Sequence, residues 1–551
     1  MRAVRMVALD RERRLRRIGA VTLAVAAGLT WVAVTASANP HFSSFDSAAS
    51  AQAPLAARSF ARPARACAVP ELPGGESATV ISAQTIPRSD GTQAYCEVRG
   101  VVGNSTQFIL YLPERWNGRI YMHGNGGFAG EPLDAPLGVR ARIKAVRLGF
   151  VAAFTDTGHE AAAAPDGRWA LHNLASELDF ASRAVHATIV TTKRLAAHYY
   201  RRSPTRSYFD GCSTGGRQGL MSAQRHPEDF DGILAGAPVM DMTGMLWKYW
   251  SNHTAIASKP ITEGTLRRLG RFIFERFDGA DGLVDGVIAD PDAVRFRPDV
   301  DLPSAATDPN GFTADEIASL KAIYQPLMIS GAERFPGQPI GSERAGLLYS
   351  PDTQASVAPQ SPWLTRVVPD SRGQLGQRGL IESWFRFMAF TPDRPELDWK
   401  TLDLLQDYER TTQVGRLMNA TDPDLRSFAA RRGKLLLYHG WADFGVNPRR
   451  SIRYHEHVAK ILGAGTDDVL RMYVVPGMFH CEGGLDIDRF DMMTPLIDWV
   501  EANRPPETLI GTRVENGKVT RTRPVCRYPA RLTFRGQGDG SEATHFTCAA
   551  P

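Results

Sequence analysis

Short runs rich in β-branched and aromatic residues recur at 107–112, 119–123, 149–155, 207–210 and 232–235, and each predicts a strand. A long amphipathic stretch at 178–200 predicts a helix between the third and fourth runs. Strands that alternate with helices predict the α/β class, with a doubly wound, mostly parallel sheet. The rhythm stops after Pro238 and returns with strands at 434–438 and 469–475, a helix near 449–462 and a last helix at 486–502. Residues 239–430, heavy in Trp, Phe, Pro and Gly, lack that rhythm and read as a large inserted lid domain. The sheet domain is then built in two parts, 67–238 and 431–551. No internal repeat suggests a solenoid.

The ends of the chain change the picture. Residues 1–17 carry seven arginines, residues 18–34 are an apolar run, and Ala36-Ser37-Ala38 supplies a small-x-small cleavage site, so 1–38 reads as a signal peptide. Residues 39–66, rich in Ala, Ser and Pro, read as a disordered lead-in. The leader arginines stand against only Asp10 and Glu12, which accounts for the whole net charge of +5. The remaining chain is formally neutral, giving no basis for a nucleic-acid partner or, once the leader is cleaved, for a membrane partner. The expected location is secreted or periplasmic, where the six cysteines should pair. Six cysteines allow 15 connectivities. Proximity along the chain favours Cys67 with Cys96 and Cys526 with Cys548, which leaves Cys212 for Cys481.

Candidate chemistry centres on Gly211-Cys212-Ser213-Thr214-Gly215, a G-x-S-x-G sequence between a predicted strand and a predicted helix. A sharp turn there lifts the serine hydroxyl to the sheet edge, and the following helix N-terminus favours a developing oxyanion. The motif alone is weak. Its partners follow in the order an α/β-hydrolase requires: Asp443 in the loop after 434–438, and His480 in the loop after 469–475. Ser213 is therefore the expected nucleophile, His480 the general base and Asp443 the acid that orients it. Cysteines stand beside two of the three, so a serine and histidine that meet would bring Cys212 and Cys481 within disulfide reach. The oxyanion hole is expected from the Thr214 amide and from Gly126 and Gly127 in the run His123-Gly124-Asn125-Gly126-Gly127; which glycine-loop amide points inward is left open.

These residues resemble the tannase and feruloyl esterase family, which includes mono(2-hydroxyethyl) terephthalate hydrolases. The likeness rests on Cys212-Ser213, Asp443 and His480-Cys481, and on Asp156-Thr157-Gly158-His159, Asp179-Phe180, Pro476-Gly477-Met478 and the cysteine-bearing tail. It implies a serine carboxylic ester hydrolase acting through an acyl-enzyme, with a disulfide joining Cys212 to Cys481. The implied substrate is a small ester of an aromatic acid: a gallate, a hydroxycinnamate such as ferulate, or a terephthalate mono-ester. General short-chain carboxylesterase activity is the alternative, with a peptidase or a non-catalytic binder on the same scaffold further off. The resemblance also implies a structural Ca2+ in the lid at Asp278, Asp281 and Asp285 with the carbonyls of Leu283 and Val287, a hard-oxygen donor set. Phe277 precedes that loop and 239–430 holds no cysteine, a departure from relatives with lid disulfides. Trp384, Phe385, Arg386 and Phe387 are the candidate substrate contacts, as rings to stack on a flat acyl group and a guanidinium to pair with a carboxylate.

Overall fold

Alternating side chains along the strands build two cores from one sheet. The computed structural model describes residues 60–70, 78–161, 166–349, 356–370 and 375–550. The proposed signal peptide and most of the lead-in lie outside them. The sheet begins with β1 (Ala78–Ile86), β2 (Tyr95–Val102), β3 (Thr106–Pro113), β4 (Arg119–His123), β5 (Val151–Thr155), β6 (Arg206–Cys212) and β7 (Gly232–Gly236). Short hairpins follow, β8 (Leu327–Ile329) with β9 (Ala332–Phe335) and β10 (Gly346–Tyr349) with β11 (Ser356–Gln360), before β12 (Lys434–Gly440) and β13 (Leu470–Val475) rejoin the sheet. Its order is β1-β2-β3-β5-β4-β6-β7-β12-β13. The pairs from β1 to β5 through β2 and β3 are antiparallel, and the rest are parallel. Hairpins β14 (Thr508–Glu515) with β15 (Lys518–Cys526) and β16 (Arg531–Phe534) with β17 (Phe546–Ala549) close the chain.

Leu435 and Leu437 of β12 pack on one face of the sheet with Ile189, Leu195, Leu220 and Ile452 from the helices Ala184–Tyr200, Thr214–Arg225 and Pro448–Leu462. Leu436 and Tyr438 pack on the other with Val146, Leu496 and Trp499, from Pro136–Arg147 and Met493–Ala502. A sheet buried on both faces explains why the strands read as nearly continuous apolar runs.

Three expectations need correction. The helix predicted at 178–200 is a turn at Leu174–Leu178, a π-helical stretch at Asp179–Arg183 and then Ala184–Tyr200. The buried Arg217 guanidinium donates to the carbonyls of Phe180 (3.0 Å) and Ala181 (3.2 Å), drawing both from the regular helical ladder. The last helix begins at Met493, not 486. Buried Asp486 and Asp488 are instead held outside it, Asp486 facing Arg521 and Arg523 and Asp488 accepting from the Gly483 amide. The lead-in is ordered by its end, because Ala61 bridges Trp116 and the Phe60 ring lies under Arg115.

Between β7 and β12 run the helices Met242–Ser258, Glu263–Phe277, Ala314–Tyr324, Arg378–Phe387 and Leu404–Met418. Their apolar side chains build one cluster around Trp247, Trp384 and Phe385, and another in which Ile273 and Ile323 join Trp363. No helix among the described residues is long and apolar enough to cross a membrane.

Candidate active site

Ser213 caps the helix that follows β6 and sits at φ +62°, ψ −121°, a left-handed conformation rare for a residue with a Cβ. Its strain is held by neighbours: the Ser213 amide donates to Gly236 O (2.9 Å), and the amides of Arg217 and Val239 donate to Ser213 O (3.1 Å each). Tight packing under the turn requires glycine at 211, where a Cβ would stand 2.6 Å from the Gly215 backbone. The turn thus presents the serine side chain at the sheet edge, where the loops after β12 and β13 meet it.

Those loops deliver the other two predicted residues. His480 Nε2 lies 2.9 Å from Ser213 Oγ, and His480 Nδ1 lies 2.6 Å from Asp443 Oδ2. Asp443 is completely buried, and its Oδ1 accepts from the amides of Gly445 (2.7 Å) and Val446 (2.8 Å). Burial alone would raise its carboxyl, but His480 and His439 outweigh that and hold it far below the usual carboxylate range. The acid is therefore ionised. The two loops approach so closely that a Cβ at Gly440 would lie 2.2 Å from Met478 O. The Cys212–Cys481 disulfide ties the serine turn to the histidine loop; Cys67–Cys96 and Cys526–Cys548 are also formed.

The chain matches the family described as Tannase and feruloyl esterase over residues 94–549. It belongs to that family. The family's enzymes are carboxylic ester hydrolases, and so is this one. It is 29% identical to a mono(2-hydroxyethyl) terephthalate hydrolase of Piscinibacter sakaiensis, across 83% of this chain and 85% of the relative. It is 28% identical to a probable feruloyl esterase of Arthroderma benhamiae, across 87% of this chain and 92% of the relative. A crystal structure of an esterase from Aspergillus oryzae aligns with a TM-score of 0.74 at 25% identity, covering 87% of this chain and 98% of that one.

In this tannase-family esterase the glycine loop departs from expectation at one position. The Gly126 amide donates to Glu131 Oε1 (2.5 Å), so in this structure it is already engaged by a side chain. Gly127 and Thr214 remain as candidates, with Thr214 Oγ1 donating to Gly127 O (2.5 Å) and fixing one against the other. Burial raises the Glu131 carboxyl. A carboxylate five residues beyond a glycine loop carries no sequence signal that it will fold back onto it.

The residues proposed as substrate contacts are also corrected. Trp384 and Phe385 are fully buried in the cluster with Trp247, and Phe387 is 9% exposed. The Arg386 guanidinium is engaged by Pro395 O. This segment is core because its rings fall on the packed face of a short amphipathic helix.

What 239–430 does bring to the site was missed in the sequence. Gln338 Nε2 donates to Asp443 O (3.0 Å), Tyr249 Oη donates to Gly445 O, and Asn447 Nδ2 reaches Gly337 O (3.0 Å). The insertion therefore braces the acid loop. Lone polar residues at such long chain separations have no pattern by which to be found.

In the Asp278 loop, Asp278 accepts from the amides of Gly286 (2.9 Å) and Val287 (3.2 Å), which curls the chain around it. Burial, with Asp285 and Asp278 nearby, pushes Asp281 up to about 6. Repulsion among acids in a loop of hard oxygen donors suits a hard cation. Arg523 Nη2 already offsets part of it, 2.7 Å from Asp285 Oδ2. Among the described residues, His186, His226 and Glu228 have ligand atoms within 4.8 Å of one another. The two rings stack face to face at 4.0 Å, so their in-plane lone pairs run side by side rather than converging on an ion.

Proposed function

We propose that the chain is a secreted hydrolase that cleaves esters of aromatic acids through an acyl-enzyme on Ser213. The observation that carries the catalytic reading is the unbroken relay from Ser213 Oγ through His480 to buried Asp443, at 2.9 and 2.6 Å. Ser213 Oγ attacks the ester carbonyl carbon as its proton passes to His480 Nε2. The Thr214 and Gly127 amides stabilise the tetrahedral oxyanion, and His480 returns the proton to the departing alcohol. Water then repeats the sequence on the acyl-enzyme: its proton goes to His480, the carboxylic acid leaves, and Ser213 recovers its hydrogen. Asp443 holds the imidazole orientation and balances its charge without taking the proton.

Residues 239–430 serve as a lid over this edge, a reading supported by their contacts to the Asp443 loop. A calcium ion would be held by Asp278, Asp281, Asp285 and the carbonyls of Leu283 and Val287, where it would supply rigidity. Export is supported by three disulfides, which persist in oxidising compartments.

The aromatic-acid preference is supported by relatives named for feruloyl and terephthalate esters. It is tested by comparing kcat/KM for methyl ferulate, methyl gallate and a terephthalate mono-ester with that for ethyl butyrate. At least one aromatic ester is expected to be the faster substrate. A faster ethyl butyrate would make the protein a general carboxylesterase.

A further inference from the structure

A second histidine also contacts the catalytic acid. His439, the penultimate residue of β12, is completely buried. Its Nε2 lies 3.0 Å from Val446 O and 3.2 Å from Asp443 Oδ2, and its Nδ1 lies 2.8 Å from Ser451 Oγ. A carbonyl oxygen only accepts, so Nε2 carries a hydrogen, which it shares between the Val446 carbonyl and the Asp443 carboxylate. Ser451 Oγ holds the other ring nitrogen, so all three contacts are made at once.

We infer that His439 is a positioning residue for the ester-hydrolysis reaction: it fixes the Asp443 carboxylate and draws off part of its charge, which sets how firmly Asp443 supports the imidazolium of His480. Asp443 Oδ2 is contacted by two imidazoles, His480 and His439, while its Oδ1 is held by the backbone of its own loop. His439 contributes its hydrogen bond to the depression of that carboxyl, so the two are coupled in charge as well as position. It also ties together three segments whose relative placement decides the geometry: the end of β12, the Asp443–Val446 turn and Ser451 in the helix Pro448–Leu462. An acid merely close to a histidine would need only the contact to His480.

The inference rests on the catalytic reading above, and its test separates the two. His439→Leu removes the donor, and His439→Gln returns an N–H near the position of Nε2. Loss of the hydrogen bond that orients the carboxylate is expected to lower kcat roughly tenfold in His439→Leu, with little change in KM. Without the donor the carboxylate supports positive charge on His480 more strongly, so the acid limb of the kcat/KM profile moves to higher pH, by about half a unit or more. His439→Gln should recover most of both effects. The other charged or titratable groups near the pair stay in place: Arg366 beside Gly445, Tyr249 on Gly445 O, and Glu482 and Asp488 around the histidine loop. A purely structural role would lower stability without moving the limb.

A folded His439→Leu with an unmoved acid limb overturns the inference, whether or not kcat falls. If His439→Leu does not fold, Ser451→Ala takes its place: loosening the ring should move the limb the same way by a smaller amount, and an unmoved limb overturns the inference. Ser213→Ala is assayed alongside. Turnover surviving in it refutes the catalytic reading itself, whereas a dead Ser213→Ala beside normal His439 and Ser451 variants refutes only the role of His439.

Discussion

Cys212 and Cys481 are joined across 269 residues with their Cα atoms 6.0 Å apart, and the residue beside each is one of the two whose side chains meet, Ser213 and His480. The crosslink thus ties two loops whose relative position is the reactive geometry. In the chain-entropy model a closure of this length contributes roughly 5 kcal/mol. Its local effect on rate is separate, since a displacement of about 1 Å can cost on the order of a hundredfold. Replacing both cysteines with Ala is expected to lower kcat by one to two orders of magnitude, about that figure, while circular dichroism stays close to wild type. Wild-type kcat in the folded double variant would remove the positioning role.

The relay of Ser213, His480 and Asp443 predicts strongly non-additive losses. Ser213→Ala and His480→Ala should each abolish measurable turnover, and the double variant should be hardly worse, because either change disables the same step. Asp443→Asn should leave more activity than Ser213→Ala, since the nucleophile remains while the imidazole loses its orientation and counter-charge. Steady-state kinetics on an activated aryl ester checks both. Losses that add in free energy would mean the three do not act together.

The triad was legible because its chemistry imposes order and spacing: a strand, a tight turn with Ser213 and a helix, followed by Asp443 and His480 each after a later strand. Sheet strands from β3 onward were legible for the same kind of reason, as apolar runs bounded by turns. The antiparallel edge was not. β1 leaves most of its residues exposed, with Val80 its one buried side chain, so its pattern does not stand out as a core strand. The aromatic run at 384–387 misled because a ring's value for packing and for stacking on substrate is the same in sequence; only its burial separates them. Gly126 misled because its amide is consumed by Glu131, a contact fixed by loop conformation.

The Asp278 loop predicts a stability effect of calcium that is separable from the chemistry. With Asp281 raised by burial and by its acidic neighbours, a divalent cation would relieve repulsion, and it would be released by a chelator. Adding calcium to chelator-treated protein should raise Tm by several degrees, on the order of 2 to 3 kcal/mol at saturating ion. Asp281→Asn should abolish that response while retaining acylation of a small activated ester. If chelation stopped acylation in protein that stayed folded, the ion would belong to the reaction and not to the scaffold.

Glu343 predicts the sign of a pH effect on stability. Burial pushes its carboxyl up to about 7, offset in part by hydrogen bonds from Tyr324 Oη (2.6 Å) and the Gly341 amide (2.8 Å). In the unfolded chain the group ionises near its ordinary value of 4.5. Between these two values the folded state binds the extra proton, so the stability this group contributes is complete below about 4.5 and is lost as pH rises toward 7. The loss approaches the order of 3 kcal/mol at the limit. Glu343→Gln imitates the protonated acid, with its amide oxygen toward the Gly341 amide and its N–H2 toward Tyr324 Oη, and it does not titrate. Relative to wild type, its Tm should therefore rise between pH 5 and pH 8, whatever the other groups do to both proteins alike. A difference in Tm that stays constant across that interval would show that Glu343 ionises in the folded protein as easily as in water.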